Sequence, residues 1–268
     1  MLDFIRNSIG FYNLAIVIGL LASIIVIFLL ARRRDLLKGQ LLYMSLFLLV
    51  GVFLGAHILF FLVGLPDFIR DYAGQIHSFS EFLNAFLTAS SGLVFYGGLL
   101  GGLLMLFISC RMYGLPLREN LNNFVVAFPL FHFFGRIGCA LTGCCYGIEY
   151  HGLFELHYNA THINPGVNDG IDAFPRFPVQ LLEALIELII FIVLLIIYIK
   201  KEDKYSLTCI YLLSYAVVRF LDEFLRGDDI RGFWGPLSTS QWISIAIIIG
   251  VVIYLTVQRN RRAKALPL

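Results

Sequence analysis

The stretch FHFFGRIGCALTGCCYGIEY, residues 131–150, begins as an apolar helix and then gathers one arginine, four glycines and three cysteines. Arg136 carries a guanidinium that stays protonated, and charged groups at membrane depth are costly and tend to serve a function. The glycines bring bare backbone close to any bound group, and we expect the chain to leave the helix from Gly143 onward. This stretch therefore predicts a polar site at the end of a membrane-spanning helix.

The whole chain has the composition of a membrane protein. Of its 268 residues 59% are hydrophobic and only 14% are charged, and the mean hydropathy is +0.83. Soluble domains carry about 25% charged residues, so a water-exposed surface is excluded. The net charge of +2, with no basic patch interleaved with aromatic residues, excludes nucleic acid as a partner.

Seven apolar windows are long enough to cross a bilayer core, which takes about 20 residues. They predict an all-α integral membrane protein with seven transmembrane helices, of which the sixth is short and ends in charges. The windows lie near 9–30, 41–64, 88–109, 121–142, 178–199, 207–225 and 239–257.

Basic residues indicate the orientation of these helices. The segments ARRRDLLKG, CRMYGLPLRE, KKEDK and QRNRRAK hold four, two, three and four of the 20 basic residues, and seven spans put all of them on one side. That side is expected to be cytoplasmic, with the N-terminus outside and the C-terminus in the cytoplasm. Residues 65–87, with an interfacial helix in FSEFLNAFL, and residues 144–177 then lie outside. We expect one domain, residues 1–268, in which 144–177 form a small extracytoplasmic head.

Arg136 favours an anion site, because its planar fork matches two oxygens of a phosphate. The alternative is a structural ion pair with a carboxylate on another helix, which is common for buried charges.

The three cysteines of the opening stretch leave several interpretations open. A thiolate at Cys139, Cys144 or Cys145 would be a nucleophile if Arg136 lowered its pKa. These cysteines could also form a disulfide on an oxidising outer face, or pack as small hydrophobic residues in a tight turn. A metal site would need further ligands, for which His151 and His157 are candidates, but the spacing matches no metal-binding motif and no metal is expected. The remaining two cysteines are expected to be buried hydrophobic residues: Cys110 and Cys209.

Residues 217–229, VVRFLDEFLRGDD, place three charges at i, i+4 and i+7 of one predicted helix face: Arg219, Glu223 and Arg226. Glu223 could hold both arginines and leave donors free for an anionic ligand. The alternative is a charge cluster at a helix end, which suits Arg226 better than the deeper Arg219.

Two other segments bring polar groups to the outer ends of spans. FPVQLLEALIE, residues 177–187, has polar side chains near helical spacing, which either favour the helix N-terminus or orient the arginines: Gln180, Glu183 and Glu187. VFYGGLLGGLL, residues 94–104, sets Tyr96 beside Gly97 and Gly98. Its glycine pairs four apart suit close helix packing, and alternatively they present amides to a ligand.

Under the predicted topology these clusters all lie in the outer halves of their spans. Their convergence predicts an anion site at the depth of the lipid head groups, and the natural anion there is a phospholipid phosphate. The interpretation fails if Arg136 and Arg219 face away from each other, or if each is locked to a carboxylate with no cavity between them.

At these residues, and in order over nearly the whole chain, the sequence resembles the prolipoprotein diacylglyceryl transferase family. GFYNLAI, with Tyr12, is similar to the start of the family's first span, and GRIGCALTGCCYG is similar to its glycine–arginine motif. FYGGLLGG is similar to its His-Gly-Gly segment, FPVQLLEALIE to its Pro-x-Gln-Leu-x-Glu segment, and RFLDEFLR to its Arg-Glu-Arg helix.

The resemblance implies a seven-span enzyme of the bacterial inner membrane with its active site towards the outer leaflet. The family moves the diacylglyceryl group of phosphatidylglycerol to the lipobox cysteine thiol of a prolipoprotein and releases glycerol phosphate; no cofactor or metal is expected. The catalytic residues it implies are Tyr96, Arg136, Arg219 and Glu223. The substrate-binding residues it implies are Tyr12, Gly97, Gly98, Cys139, Cys144, Gly147, Gln180, Glu183 and Arg226.

Several positions depart from the family pattern. Tyr96 stands in place of a histidine, Cys139 of an asparagine and Cys144 of a glutamate, and Asn13 replaces a glycine beside Tyr12. These departures leave the proton acceptor open. They also keep two alternatives open: a related transferase that passes the same donor group to a glycan, a lipid or a small thiol, or a non-catalytic phospholipid-binding or transport protein.

Overall fold

The computed structural model describes residues 8–33, 38–72, 78–89, 95–158, 174–200, 206–228 and 233–265, and most of them are helical. The helices are α1 (Ser8–Arg33), α2 (Lys38–Tyr72), α3 (Phe79–Ala89), α4 (Phe95–Met112), α5 (Leu117–Thr142), α6 (Val179–Ile199), α7 (Leu207–Asp222) and α8 (Thr239–Ala265). Just before α8, the two-residue strands β1 (Phe233–Trp234) and β2 (Leu237–Ser238) pair in antiparallel fashion.

The helices confirm the prediction of an all-α, multi-pass membrane protein. Among the described residues, five helices are long and apolar enough to cross a membrane: α1, α2, α5, α6 and α8. Large apolar side chains such as Leu21 and Phe53 stay more than half exposed, as lipid-facing groups do. The third and sixth predicted spans correspond to α4 and α7, which have 18 and 16 residues. The helix predicted in FSEFLNAFL is confirmed as α3.

The chain divides into two compact units, residues 1–30 with 122–268 and residues 31–121. In the second unit α2 and α4 run antiparallel, and their backbones touch at glycines. A Cβ atom on Gly55 would lie 2.2 Å from the carbonyl oxygen of Gly97, and one on Gly101 would lie 2.2 Å from that of Gly51. The glycine pairs of α4 therefore do serve close helix packing.

In the first unit α1 lies against α5, and α5, α6 and α7 enclose an apolar core. A Cβ atom on Gly19 would meet Cβ of Phe134 at 2.8 Å, so glycine is needed for this crossing. Ser206 caps α7 by accepting a hydrogen bond from the Cys209 amide. The buried residues of the core are Leu30, Val126, Ile190, Leu194, Tyr198, Leu207, Tyr211 and Tyr215.

Backbone hydrogen bonds join the end of α5, the start of α6 and the end of α7. The Ile148 amide donates to Leu225, and the Gly227 amide donates to Tyr146, both at 3.0 Å. The Phe177 amide donates to Ile148 at 2.9 Å. We call these segments, residues 146–148, 176–177 and 225–227, the backbone clasp. It holds three of the predicted polar segments at one end of the first unit.

Candidate active site

Arg136 and His132 of α5 face two acidic residues of α6. Its Nη2 atom lies 2.8 Å from Oε1 of Glu183. His132 stands one turn earlier on α5, with Nδ1 3.2 Å from Oε1 of Glu187 and Nε2 3.8 Å from Oε1 of Glu183. Glu183 and Glu187 are no more than 1% exposed, so these carboxylates are held by side chains rather than by water. The helical spacing predicted for the α6 segment is confirmed as one buried face.

Arg219 of α7 is buried and has two partners. Its Nη2 atom lies 2.8 Å from Oε2 of Glu223, which follows the last residue of the helix. The same nitrogen donates to Oγ of Ser240 at 3.1 Å, at the start of α8. Glu223 is therefore placed to orient Arg219, as the sequence predicts.

The two arginine pairs belong to one network. Glu183 lies close enough to Arg136, Arg219 and Asp222 to interact electrostatically with all three. Asp222 is buried at the end of α7 and also feels both guanidinium groups. The structure thus brings the two deep arginines of the sequence prediction around the same pair of carboxyl groups.

Each arginine pairs with a carboxylate. Such pairing, if it left no room for a ligand, would argue against an anion site. The pairing does not use every donor, however. Nε of Arg136 and Nη1 of Arg219 are buried and make no hydrogen bond within the described residues. A guanidinium has five N–H donors and no acceptor, so these positions can donate to an anion while Glu183 and Glu223 stay in place.

Arg226 lies in a different arrangement from the one predicted. The helix ends at Asp222, so Arg226 does not continue the face of Arg219 and belongs instead to the backbone clasp, opposite Gly147. Its guanidinium forms a bidentate salt bridge with Asp228, in which Nε lies 2.8 Å from Oδ1. Burial opposes the charge on Arg226, but the bonds to Asp228 raise its pKa above the ordinary value.

Gln180 ties the first turn of α6 to the loop after α5. Its side-chain amide donates to the carbonyl of Cys144 at 3.0 Å and to the hydroxyl of Tyr158 at 3.1 Å. Burial raises the pKa of Tyr158 to about 12, against the lowering effect of the Gln180 amide, so the phenol stays protonated. Gln180 therefore positions the turn that carries the cysteines.

The Sγ atoms of Cys139, Cys144 and Cys145 all lie within 4.8 Å of one another. None of the five cysteines forms a disulfide in this structure. Hydrogen bonds from the other two thiols lower the pKa of Cys145 well below its ordinary value, although burial opposes this. Cys110 and Cys209 are buried, as the sequence predicts.

Gly147 is explained by backbone contact. A Cβ atom there would lie 2.3 Å from the carbonyl oxygen of Phe177. Tyr12 is half-buried on α1 and packs on Gly138, whose added Cβ would lie 3.0 Å from Cδ2 of the ring. Tyr12 also feels the charge of Arg136, so it borders the arginine network.

Three predicted residues belong to the other compact unit. Gly97 and Gly98 lie on α4 and pack against α2, close to Gly55 and Val52. Tyr96 is part of α4, but its side chain lies outside the described residues.

Sequence reasoning missed His132, Tyr158 and Ser240. His132 could have been found, because it precedes Arg136 by four residues and so shares its helix face. Ser240 and Tyr158 gave no local signal, since a serine at a helix start and a tyrosine in a loop are common and only tertiary contact links them to the site.

The fold is that of a polytopic membrane protein, and its buried arginine–carboxylate network keeps N–H donors that no described residue accepts. A sequence profile described as prolipoprotein diacylglyceryl transferase matches residues 1–257. The chain therefore belongs to the prolipoprotein diacylglyceryl transferase family, a family of enzymes.

Curated relatives carry the corresponding enzyme name. A phosphatidylglycerol–prolipoprotein diacylglyceryl transferase of Clostridium tetani is 28% identical over 244 residues, which is 91% of each chain. Transferase 2 of Clostridium perfringens is 26% identical and covers 94% of this chain and 92% of its own length. The enzyme of Campylobacter hominis is 30% identical and covers 80% of this chain and 74% of its own.

Proposed function

We propose that this protein transfers the diacylglyceryl group of phosphatidylglycerol to the lipobox cysteine thiol of a prolipoprotein and releases glycerol phosphate. The reaction takes place in a bacterial inner membrane, at a site towards the outer leaflet. The seven-span topology, with the N-terminus outside and the C-terminus in the cytoplasm, belongs to the same proposal. It is supported by the basic segments of the sequence and by the backbone clasp, which gathers three polar helix ends.

The observation that carries the proposal is the pair of buried guanidinium groups that keep unpartnered donors within the described residues, Nε of Arg136 and Nη1 of Arg219. A lipid phosphodiester offers two non-bridging oxygens that share one negative charge, and guanidinium–phosphate pairs are among the stronger hydrogen bonds. The names of the curated relatives supply the donor lipid and the acceptor protein.

The chemistry is a displacement at the glyceryl carbon that bears the phosphate. The C–S bond forms, and the C–O bond breaks with its electron pair on the phosphate oxygen. The proton of the acceptor thiol ends on the released phosphate monoester or in water, which balances the charge that the monoester gains. Arg136 and Arg219 stabilise the negative charge that develops on the departing glycerol phosphate. Glu183 and Glu223 hold the two arginines in place. The acyl chains reach the site sideways from the bilayer.

The test is a transfer assay with purified protein, phosphatidylglycerol and a synthetic lipobox peptide, followed by peptide mass. We expect the peptide to gain one diacylglyceryl group, and a peptide with serine in place of the lipobox cysteine to gain none. The proposal is abandoned if the folded wild-type protein consumes phosphatidylglycerol but leaves the peptide unmodified. It is also abandoned if the folded protein does not consume the lipid.

A second candidate uses the same donor with another acceptor. The observation that favours it is the thiol pair Cys139 and Cys144, which stand where the best-known members of the family have an asparagine and a glutamate. In the same assay, release of glycerol phosphate without peptide modification, together with a lipid-linked glycan or small-thiol product, would indicate this alternative.

A further inference from the structure

The cluster of Cys139, Cys144 and Cys145 takes no part in the bond-making and bond-breaking steps of the proposed transfer reaction. Cys139 lies in the last turn of α5, and the other two lie in the turn that follows. Gly143 at φ 73° and Cys145 at φ 56° fold this turn back onto the helix end. A left-handed conformation at a non-glycine residue persists only where the surroundings hold it, and such residues gather at functional sites.

Separate contacts hold the turn in this position. The Gln180 amide fixes the carbonyl of Cys144, and the hydroxyl of Thr142 lies 3.4 Å from Sγ of Cys144. Sγ of Cys144 also lies 3.9 Å from the carbonyl oxygen of Cys139, a contact that a free thiol can use. The three sulfur atoms converge because of this turn, which explains why the spacing in the sequence matches no metal-binding motif.

The distances suit a metal ion. Sulfur ligands at about 2.3 Å from a zinc ion stand about 3.8 Å apart in a tetrahedral site and about 4.0 Å apart in a trigonal one. The three Sγ atoms, all within 4.8 Å of one another, need to move by only fractions of an ångström to bind one ion. Two guanidinium groups, Arg136 and Arg226, act on Cys145, and their charge offsets the negative charge of a three-thiolate complex.

We propose that the Sγ atoms of Cys139, Cys144 and Cys145 bind one thiophilic closed-shell metal ion, Zn²⁺ or Cu⁺. Thiolate ligands select these ions over magnesium, calcium or manganese. Three protein ligands complete a trigonal Cu⁺ site. Around Zn²⁺ they leave one tetrahedral position for a ligand from outside the cluster, which is the arrangement of catalytic rather than structural zinc sites. The site lies beside Arg136 and does not depend on the proposed transfer reaction.

The first test uses the wild-type protein, reduced and metal-free, in lipid nanodiscs. Zn²⁺ or Cu⁺ is added alone, bound metal is counted by elemental analysis, and the alkylation rate of every cysteine is followed by mass spectrometry. We expect one equivalent of metal and slower alkylation of all three cluster thiols, with Cys110 and Cys209 unaffected. The ion that produces this protection at the lower concentration is the preferred one.

The second test replaces ligands one at a time. C139S, C144S and C145S should each weaken metal binding by at least about 10- to 100-fold. Removing a residue that only hydrogen-bonds a metal ligand already lowers metal affinity by that factor, so removing a ligand should cost no less. C110S and C209S are the matched controls and should bind as the wild type does. Metal content that is independent of the three thiols, unchanged alkylation rates, or a disulfide within the cluster of the freshly isolated protein would overturn the proposal. The first test needs no variant. If a substitution prevents folding, the alkylation rates of the wild-type cysteines with and without metal therefore decide the question.

Discussion

Arg136 and Arg219 each give one nitrogen to a carboxylate and keep another nitrogen buried without a partner in the described part of the chain. A buried donor left unpaired costs on the order of 1–3 kcal/mol. A phosphate oxygen removes that cost, whereas the carboxylates already offset the charge. The carboxylates therefore hold the two side chains in place, and the remaining donors can bind an anion.

Replacing Arg136 with lysine tests whether one nitrogen of Arg136 pairs with Glu183 while another binds the phosphate. An ammonium group can pair with Glu183 but lacks the second, fixed donor, so the developing phosphate charge loses a partner. We expect R136K to lower the rate of transfer to the lipobox peptide by on the order of 100-fold or more. R261K, at an exposed position of α8, is the matched control. A rate for R136K within a few-fold of that of the control would show that Arg136 does not contact the reacting phosphate.

Glu183 should matter for stability as well as for activity. It pairs with Arg136, interacts with Asp222 and is 1% exposed, so E183Q leaves a buried guanidinium without its counter-charge. Breaking a buried ion pair in this way costs about 3–5 kcal/mol. We expect a clearly lower unfolding midpoint for E183Q by tryptophan fluorescence and no change for E119Q, whose side chain is exposed on α5. Equal midpoints would mean that water already screens the pair.

Most of the arginine network could be predicted from the sequence, because charged residues are rare in apolar helices and their spacing shows which of them share a face. Glu183, Arg219 and Glu223 were found in this way. The pairing of Arg226 with Asp228 could not be predicted, since it depends on where α7 ends. The sulfur cluster depends on two left-handed residues in one turn, which spacing alone does not show.

At the scale of elements, the backbone clasp decides how three helix ends meet. Its tightest point is Gly147, where an added Cβ atom would lie 2.3 Å from a backbone oxygen. We expect G147A to separate the loop after α5 from Phe177 and so to lower both the unfolding midpoint and the transfer rate. G39A, where a Cβ atom meets nothing within 4 Å, should change neither. A fully active and stable G147A would show that the clasp is adaptable.

The close contact of α2 with α4 predicts that an added side chain at Gly55 lowers the stability of the protein. In Gly55→Ala the new methyl group would lie 2.2 Å from the carbonyl oxygen of Gly97, so the two helices must move apart. The matched control is Gly250→Ala on α8, where the methyl group has open space and alanine is the better helix former by about 1 kcal/mol. Thermal unfolding in the same detergent should show a lower midpoint for the first variant and an equal or higher one for the second. The reverse order would contradict the close approach of α2 and α4.

Helix ends were less accessible to sequence reasoning than helix centres. The sixth predicted window runs to residue 225 because Phe224 and Leu225 continue its apolar pattern, yet α7 ends at Asp222. The chain leaves the helix there because Leu225 and Gly227 bond to the loop after α5. Hydropathy depends only on side chains, whereas the end of α7 is set by backbone hydrogen bonds to the loop after α5.

At the scale of the whole molecule, the proposed topology can be tested with reporter fusions. Basic loops are retained in the cytoplasm, so a fluorescent protein inserted after Gly114 or fused after Leu268 should fold and fluoresce. Alkaline phosphatase inserted in the exposed turn at Phe154 should be active, because that turn is proposed to face the outer side. No fluorescence from the fusions at Gly114 and Leu268, or no phosphatase activity from the insertion at Phe154, would contradict the orientation.

The central claim is that two arginines from separate helices hold one lipid phosphate. The most direct measurement is an experimental density map of the protein in phosphatidylglycerol nanodiscs. We expect a lipid phosphate with oxygens within about 3 Å of both Nε of Arg136 and Nη1 of Arg219, the distance of a charge-assisted hydrogen bond. A phosphate bound elsewhere, with both guanidinium groups still directed only at Glu183 and Glu223, would contradict it.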